Sequence, residues 1–188
     1  MERIAVYCGA SIGNQEVYQQ ITTNLGQWLV DQKLGLVYGG GKYGLMGILA
    51  NQVLDLGGDV IGIVPQNLAD MGTILERLDD VRVVPDISER KLEMLRLSDG
   101  CLALPGGPGT LEEIVDAFSW MRIGDNLKPC AFYNVNGYYN DLQAMFQTMV
   151  NNDFLTQTDF DKLLFSDSLT EIYQFMDTYV PPVIDIKG

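Results

Sequence analysis

Two kinds of hydrophobic pattern alternate along the chain. Short runs are apolar throughout, and longer runs repeat their apolar positions every three or four residues. The first kind suits strands buried on both faces, the second helices with one buried stripe. Arg3 to Cys8 predicts a strand ending at Gly9-Ala10-Ser11. Asn14 can cap a helix that carries Val17, Ile21, Leu25, Trp28 and Leu29 at helical spacing. Leu34 to Tyr38 predicts a second strand and Gly39 to Gly44 a glycine-rich turn. Leu45 to Leu56 follows as a helix closed by Gly57-Gly58. Asp59 to Val64 predicts a third strand stopped by Pro65, and Gln66 to Asp80 a mobile loop with room for one helical turn.

Val81 to Val84 predicts a short strand. Asp86-Ile87-Ser88-Glu89 then matches a capping box, opening a helix that runs to about Ser98. Cys101 to Leu104 is an apolar run of strand length, and Ile114 to Trp120 an amphipathic run of helical character. Cys130 to Val135 predicts a strand, Asn136-Gly137 a turn, and Asp141 to Val150 a helix. A last strand is expected at Lys162 to Phe165, and a last helix at Leu169 to Tyr179, ended by Pro181-Pro182. Strands and helices in alternation predict one α/β domain over residues 1–188, a doubly wound parallel sheet with helices on both faces. A chain of 188 residues is long enough to bury the core this needs.

Charge and composition narrow the chemistry. A net charge of −13 argues against nucleic-acid or anionic-membrane binding, while leaving room for a local patch that holds one phosphate. The chain has no histidine, which removes Ser-His-Asp and Cys-His triads, histidine-containing zinc sites and the usual general base. Acid–base work falls to carboxylates, Tyr, Lys or Cys. Cys8, Cys101 and Cys130 each lie in an apolar run and are expected as buried free thiols, not as a disulfide framework or metal site. Free thiols, no signal peptide and no apolar run of transmembrane length give a cytoplasmic expectation.

The candidate chemistry gathers at glycine-rich turns. Gly39-x-Gly41-x-x-Gly44 matches the dinucleotide fingerprint literally, but no acidic residue stands at the end of the next strand to hold a ribose hydroxyl. A phosphate or ribose cradle using Gly40 and Gly41 and a purely structural turn are the readings left. Lys42 is followed by Tyr43, so the Walker pattern fails; it is either a phosphate contact or a solvated lysine.

Pro105-Gly106-Gly107-Pro108-Gly109-Thr110 lies between a strand and a helix, where backbone N–H groups and the helix dipole favour an anion. Thr110 can cap that helix or touch a phosphate oxygen. Glu112 and Glu113 follow in the first helical turn, where carboxylates serve catalysis or merely complement the dipole. Arg90 and Lys91, just after the Asp86 cap, are either a solvated face or ligand contacts near the carboxyl edge of the sheet.

Glu89-Arg90-Lys91-Leu92-Glu93-Met94, followed by Leu104-Pro105-Gly106-Gly107-Pro108-Gly109-Thr110-Leu111-Glu112-Glu113, resembles the LOG family of cytokinin riboside 5′-monophosphate phosphoribohydrolases, often mislabelled lysine decarboxylases. The resemblance extends to Tyr7-Cys8-Gly9-Ala10-Ser11, Val37 to Gly41 and Asn134 to Tyr139. It implies a Rossmann-like fold, no cofactor, and a homodimer with its active sites near the subunit interface. It also implies hydrolysis of the N-glycosidic bond of a purine nucleoside 5′-monophosphate to free base and ribose 5-phosphate. By position in the family motifs, Arg90 and Glu113 would be the catalytic pair. Gly9, Ser11, Gly40, Gly41, Lys91, Met94, Gly106, Gly107, Gly109, Thr110 and Glu112 are the candidate substrate contacts, with Met94 either against the base or a core methionine. The chain departs from the pattern at Pro108, where plant members usually carry Tyr, and in the Gln66–Asp80 segment.

The chemistry suits such a reaction. Glycosidic cleavage builds positive charge on the ribose, which a carboxylate stabilises while it orients a water. A non-catalytic nucleotide sensor and a pyridoxal-phosphate decarboxylase are the competing readings. The second requires a Schiff-base lysine, for which Lys42 and Lys91 are the nearby candidates.

Overall fold

The computed structural model describes residues 1–182. Its strands are β1 (Arg3–Tyr7), β2 (Gly35–Tyr38), β3 (Val60–Pro65), β4 (Asp80–Val84), β5 (Gly100–Ala103), β6 (Cys130–Tyr133) and β7 (Leu163–Ser166). They form one sheet in the order β4-β3-β2-β1-β5-β6-β7. Every neighbouring pair is parallel, so each connection must cross over the sheet. The order reverses between β1 and β5, which puts the topological switch point at those two carboxyl ends.

Alternate side chains of each strand feed two cores. Ile4, Val6, Leu36 and Leu102 pack under α1 (Glu16–Asp31), α2 (Gly44–Asp55) and α8 (Leu169–Asp177). Ala5, Tyr7, Val37, Cys101 and Phe132 pack under α4 (Ile87–Leu97), α5 (Pro108–Ile123) and α6 (Asn140–Asn151). This is the doubly wound α/β architecture that the hydrophobic pattern predicts. All three cysteines are buried and free.

Several local expectations are corrected. The residue before α1 is Gln15 and its side chain makes no capping bond, so Asn14 does not cap that helix. Pro65 ends β3 from inside the strand, where it gives up only its own N–H. The segment after it is pinned, not loose. It contains α3 (Gln66–Asp70), and its return path bonds to the glycine turn through Lys42 N–H to Thr73 O at 2.9 Å and Leu75 N–H to Gly40 O at 3.0 Å. The four-residue α7 (Gln157–Phe160), too short for a periodic signal, went unpredicted.

Candidate active site

The carboxyl ends of β1 and β5 release two loops that meet: Gly9 N–H donates to Pro105 O at 3.1 Å. Between them lies a cleft of about 460 Å³, lined by Gly9, Ser11, Ile12, Tyr18, Gly106 and Tyr138 among others. Pro108, at the first helical position, opens α5, and Gly107 is its N-cap without a side-chain capping bond. Neither Gly107 nor Gly109 would bring a Cβ within 4 Å of another atom, so the N-terminus of α5 faces open space. Free N–H groups and the positive end of the dipole meet there. Thr110 is buried against Gly106, where a Cβ would stand 2.7 Å from Thr110 Cβ; it therefore does not cap α5.

Arg90 reaches this helix from α4. Asp86 fixes the start of α4 by accepting from Ser88 N–H at 2.8 Å and Glu89 N–H at 3.0 Å. One turn on, Arg90 Nη2 donates to Glu113 Oε1 at 2.7 Å, and each residue is only 8% exposed. Arg90 Nε is also buried, with no hydrogen-bond partner among the described residues. An open donor on a buried cation is costly unless something else uses it.

Burial raises the Glu113 carboxyl above its ordinary value, and the Arg90 guanidinium pulls it partly back. Beside this pair, Lys91 Nζ bridges Glu112 at 2.8 Å and Asp116 at 2.5 Å. Burial acts to lower the Lys91 ammonium, but hydrogen bonds to the two carboxylates outweigh it and raise the group.

The structure separates the predicted residues into three sets. Gly9, Ser11, Gly106 and Gly107 line the cleft. Arg90, Lys91, Glu112 and Glu113 form the adjoining ionic cluster, with Gly109 and Thr110 in the turn between. Met94, Gly40 and Gly41 belong to neither. Met94 is 0% exposed and belongs to the core cluster that holds Tyr7 and Ala103, the core placement of the two that its sequence position allows.

Gly40, at φ +71°, packs on Val64, and Gly41 bridges Ile74. These two glycines hold the β3–β4 connection and lie outside the lining of the cleft. Their neighbour Gly39 is the one at the site: a Cβ there would come within 2.9 Å of Arg90 Cζ. Lys42 is paired with Glu76 at 2.7 Å. Tyr138 and Tyr18 were not predicted, since a tyrosine after a turn gives no signal until the fold brings it to the cleft. Among the described residues no group of three or more Cys, Asp or Glu side chains stands together to hold a metal.

A parallel sheet wound on both faces, with its crevice at the switch point, places the protein in the Rossmann-like class. A family model described as possible lysine decarboxylase matches residues 46–176. Cytokinin riboside 5′-monophosphate phosphoribohydrolase LOG5 of Arabidopsis thaliana is 40% identical over 180 residues, 96% of this chain and 79% of that protein. Probable cytokinin riboside 5′-monophosphate phosphoribohydrolase LOGL3 of Oryza sativa subsp. japonica is 38% identical over 180 residues, 96% of this chain and 85% of that protein.

Among solved structures, the molybdenum cofactor binding protein of Rippkaea orientalis superposes with a TM-score of 0.70 at 19% identity, over 94% of this chain and 96% of that one. The Moco carrier protein of Chlamydomonas reinhardtii gives 0.70 at 18%, over 95% and 99%. At such identity these two speak for the fold alone. The chain belongs to the LOG family.

Proposed function

We propose that this protein hydrolyses the N-glycosidic bond of a purine nucleoside 5′-monophosphate, of the cytokinin type or adenosine, to free base and ribose 5-phosphate. The curated relatives bear the names of enzymes acting on cytokinin riboside 5′-monophosphates, across nearly the whole chain. The observation that carries the reading is the buried Arg90–Glu113 pair, standing next to a helix N-terminus open to an anion.

In this scheme the 5′-phosphate rests at the N-terminus of α5, against backbone N–H groups. Glu113 faces the ribose, stabilises the positive charge that develops as the base leaves, and orients the attacking water. Arg90 holds Glu113 and offers its unpaired Nε to the sugar hydroxyls or phosphate. Lys91 braces the start of α4 against α5 through Glu112 and Asp116, which lie beyond the first turn of α5.

Both lysines that a pyridoxal-phosphate enzyme could use are already tied to carboxylates, Lys42 to Glu76 and Lys91 to Glu112 and Asp116. Chromatographic detection of adenine released from AMP tests the proposal, with Glu113→Ala expected to lower the rate by at least about a hundredfold. An unchanged rate in that variant would refute Glu113 as the catalytic group.

We also propose a homodimer that covers the outer face of α5 and α6. An apolar groove of about 550 Å³ runs there, lined by Leu111, Val115, Phe146, Met149 and Phe154, and Glu112 forms part of its wall. A second copy seated on it would lie beside the first turn of α5, near the ionic cluster.

A further inference from the structure

Three successive carbonyls of the β5–α5 turn are each held by a donor. Leu104 O accepts from Tyr139 Oη at 2.6 Å, Pro105 O from Gly9 N–H at 3.1 Å, and Gly106 O from Tyr138 Oη at 2.7 Å. In a trans peptide the C=O of one residue and the N–H of the next point to opposite sides. No cis peptide occurs among the described residues. Holding a carbonyl on one side therefore aims the following N–H at the other. Pro105 has no N–H, so the bond to Leu104 O aims no donor. The bond to Gly9 aims Gly106 N–H, and the bond to Tyr138 aims Gly107 N–H.

The Gly106–Gly107 peptide is the one most able to turn over, because glycine flanks it on both sides. A flip rotates φ of the second residue by half a turn, from −89° at Gly107 into the positive range. Glycine accepts that range, and a residue with a Cβ resists it. Flipped, the peptide would present a carbonyl oxygen where the N–H now stands, and an anion would be repelled. Gly9 also shows why the other peptide is secure: its contact is backbone to backbone and closely packed, with a Cβ at Gly9 falling 3.4 Å from Gly106 Cα. The side chain that bonds to the Gly106 carbonyl in the orientation seen here is that of Tyr138.

Tyr138 is itself well positioned for this. Its ring meets Tyr18 edge-on at 5.7 Å and Tyr139 at 4.9 Å. The loop beneath it is fixed by Tyr139 N–H donating to Asn134 Oδ1 at 2.6 Å, and by the positive φ of Asn136 and Gly137. We propose that Tyr138 is a positioning residue for the phosphate end of the substrate, locking the Gly106–Gly107 peptide with its N–H available to the anion. This rests on the hydrolase reading for the identity of the substrate, but not for the anion site itself.

The two adjacent tyrosines supply the test. Full-length wild type, Tyr138→Phe and Tyr139→Phe are titrated calorimetrically with inorganic phosphate, ribose 5-phosphate and adenine, and melted thermally. Tyr138 is 42% exposed, so its loss is expected to leave the melting temperature nearly unchanged. Phosphate and ribose 5-phosphate affinity should fall about three- to tenfold, the worth of one hydrogen bond, with adenine affinity unaltered. KM for AMP should rise by the same factor at nearly constant kcat. Tyr139→Phe should do the reverse: melt earlier, because a buried carbonyl loses its donor, and bind both phosphate ligands as wild type does.

Wild-type phosphate affinity in Tyr138→Phe, equal weakening of phosphate and adenine, or equal loss of phosphate affinity in both variants would each overturn the assignment. So would a wild-type chain that binds neither phosphate ligand. Adenine release from AMP is scored separately. A wild type that binds ribose 5-phosphate without turnover defeats the hydrolase reading, while the comparison of the two tyrosines still decides the role of Tyr138.

Discussion

Gly39 has no side chain, and that space admits the guanidinium of Arg90. A methyl group placed there would come within 2.9 Å of Arg90 Cζ, and β2, buried along its whole length, leaves the backbone little room to retreat. Gly39→Ala is therefore expected to push the arginine off Glu113, lowering kcat for AMP at least about tenfold and costing about 1–3 kcal/mol of stability through overpacking. Steady-state kinetics and a denaturant titration check both parts.

The same pair sets the pH response. Burial raises Glu113 from an ordinary 4.5, and the proposed mechanism uses its ionised form. Activity should thus begin to fall on acidification at a pH above the usual carboxylate range, seen as the acid limb of kcat/KM. Stability responds in the opposite sense. A raised folded value means the native state holds the proton more tightly, so this group favours the fold below its ordinary value and loses that contribution as pH rises through the raised one.

At this scale the sequence was legible where residue type decides chemistry. With no histidine, carboxylates beside an anion turn stood out. Gly39 and Tyr138 were not legible, because their importance comes from neighbours 51 and 32 positions away, Arg90 and Gly106.

Helix starts were read with uneven success, for a physical reason. Asp86 offers a strong acceptor and an extended backbone (φ −151°), and two N–H groups donate to it. Asn14 offers the same chemistry one residue too early, and Gln15 precedes α1 instead. Thr110 looked like a cap from composition, but Pro108 already starts α5 and leaves Thr110 inside its first turn. Because α4 carries Arg90 and Lys91 on its first turn, its cap matters beyond stability. Asp86→Ala should cost about 1 kcal/mol, and fraying of that turn should raise KM or lower kcat together with the melting temperature. An unchanged rate would mean that packing against the sheet and the bond to Glu113 fix Arg90 without the cap.

Across the whole molecule, the doubly wound parallel sheet follows from the alternation of strands and helices and was legible before any coordinates, whereas the strand order β4-β3-β2-β1-β5-β6-β7 was not. The pinning of the 66–80 segment was not legible either, since its partners are distant in the chain: Lys42 and Gly40 bond to its backbone, and its own Arg77 reaches Asn51 and Asp55, each at 2.7 Å. Among the described residues no helix is long and apolar enough to cross a membrane. The outer face of α5 and α6 leaves Phe154 79% exposed at the rim of the apolar groove. If a second copy covers that face, Phe154→Asp should shift the mass measured by light scattering from dimer to monomer. A wild-type mass of one chain would rule the dimer out.

The ionic cluster at the site has one more consequence. Two cations, Arg90 and Lys91, stand there against three carboxylates, Glu112, Glu113 and Asp116, so no surplus positive charge awaits the substrate. Around the cluster lies a chain of net charge −13. A phosphate monoester thus approaches a repelling surface and is held at the end by short-range backbone dipoles. Added salt screens the long-range repulsion, over about 8 Å at physiological ionic strength, far more than it weakens contacts at hydrogen-bond distance. Raising potassium chloride from low to physiological concentration should leave KM for AMP flat or lower it, whereas a phosphate pocket lined with free lysines would show KM rising with ionic strength.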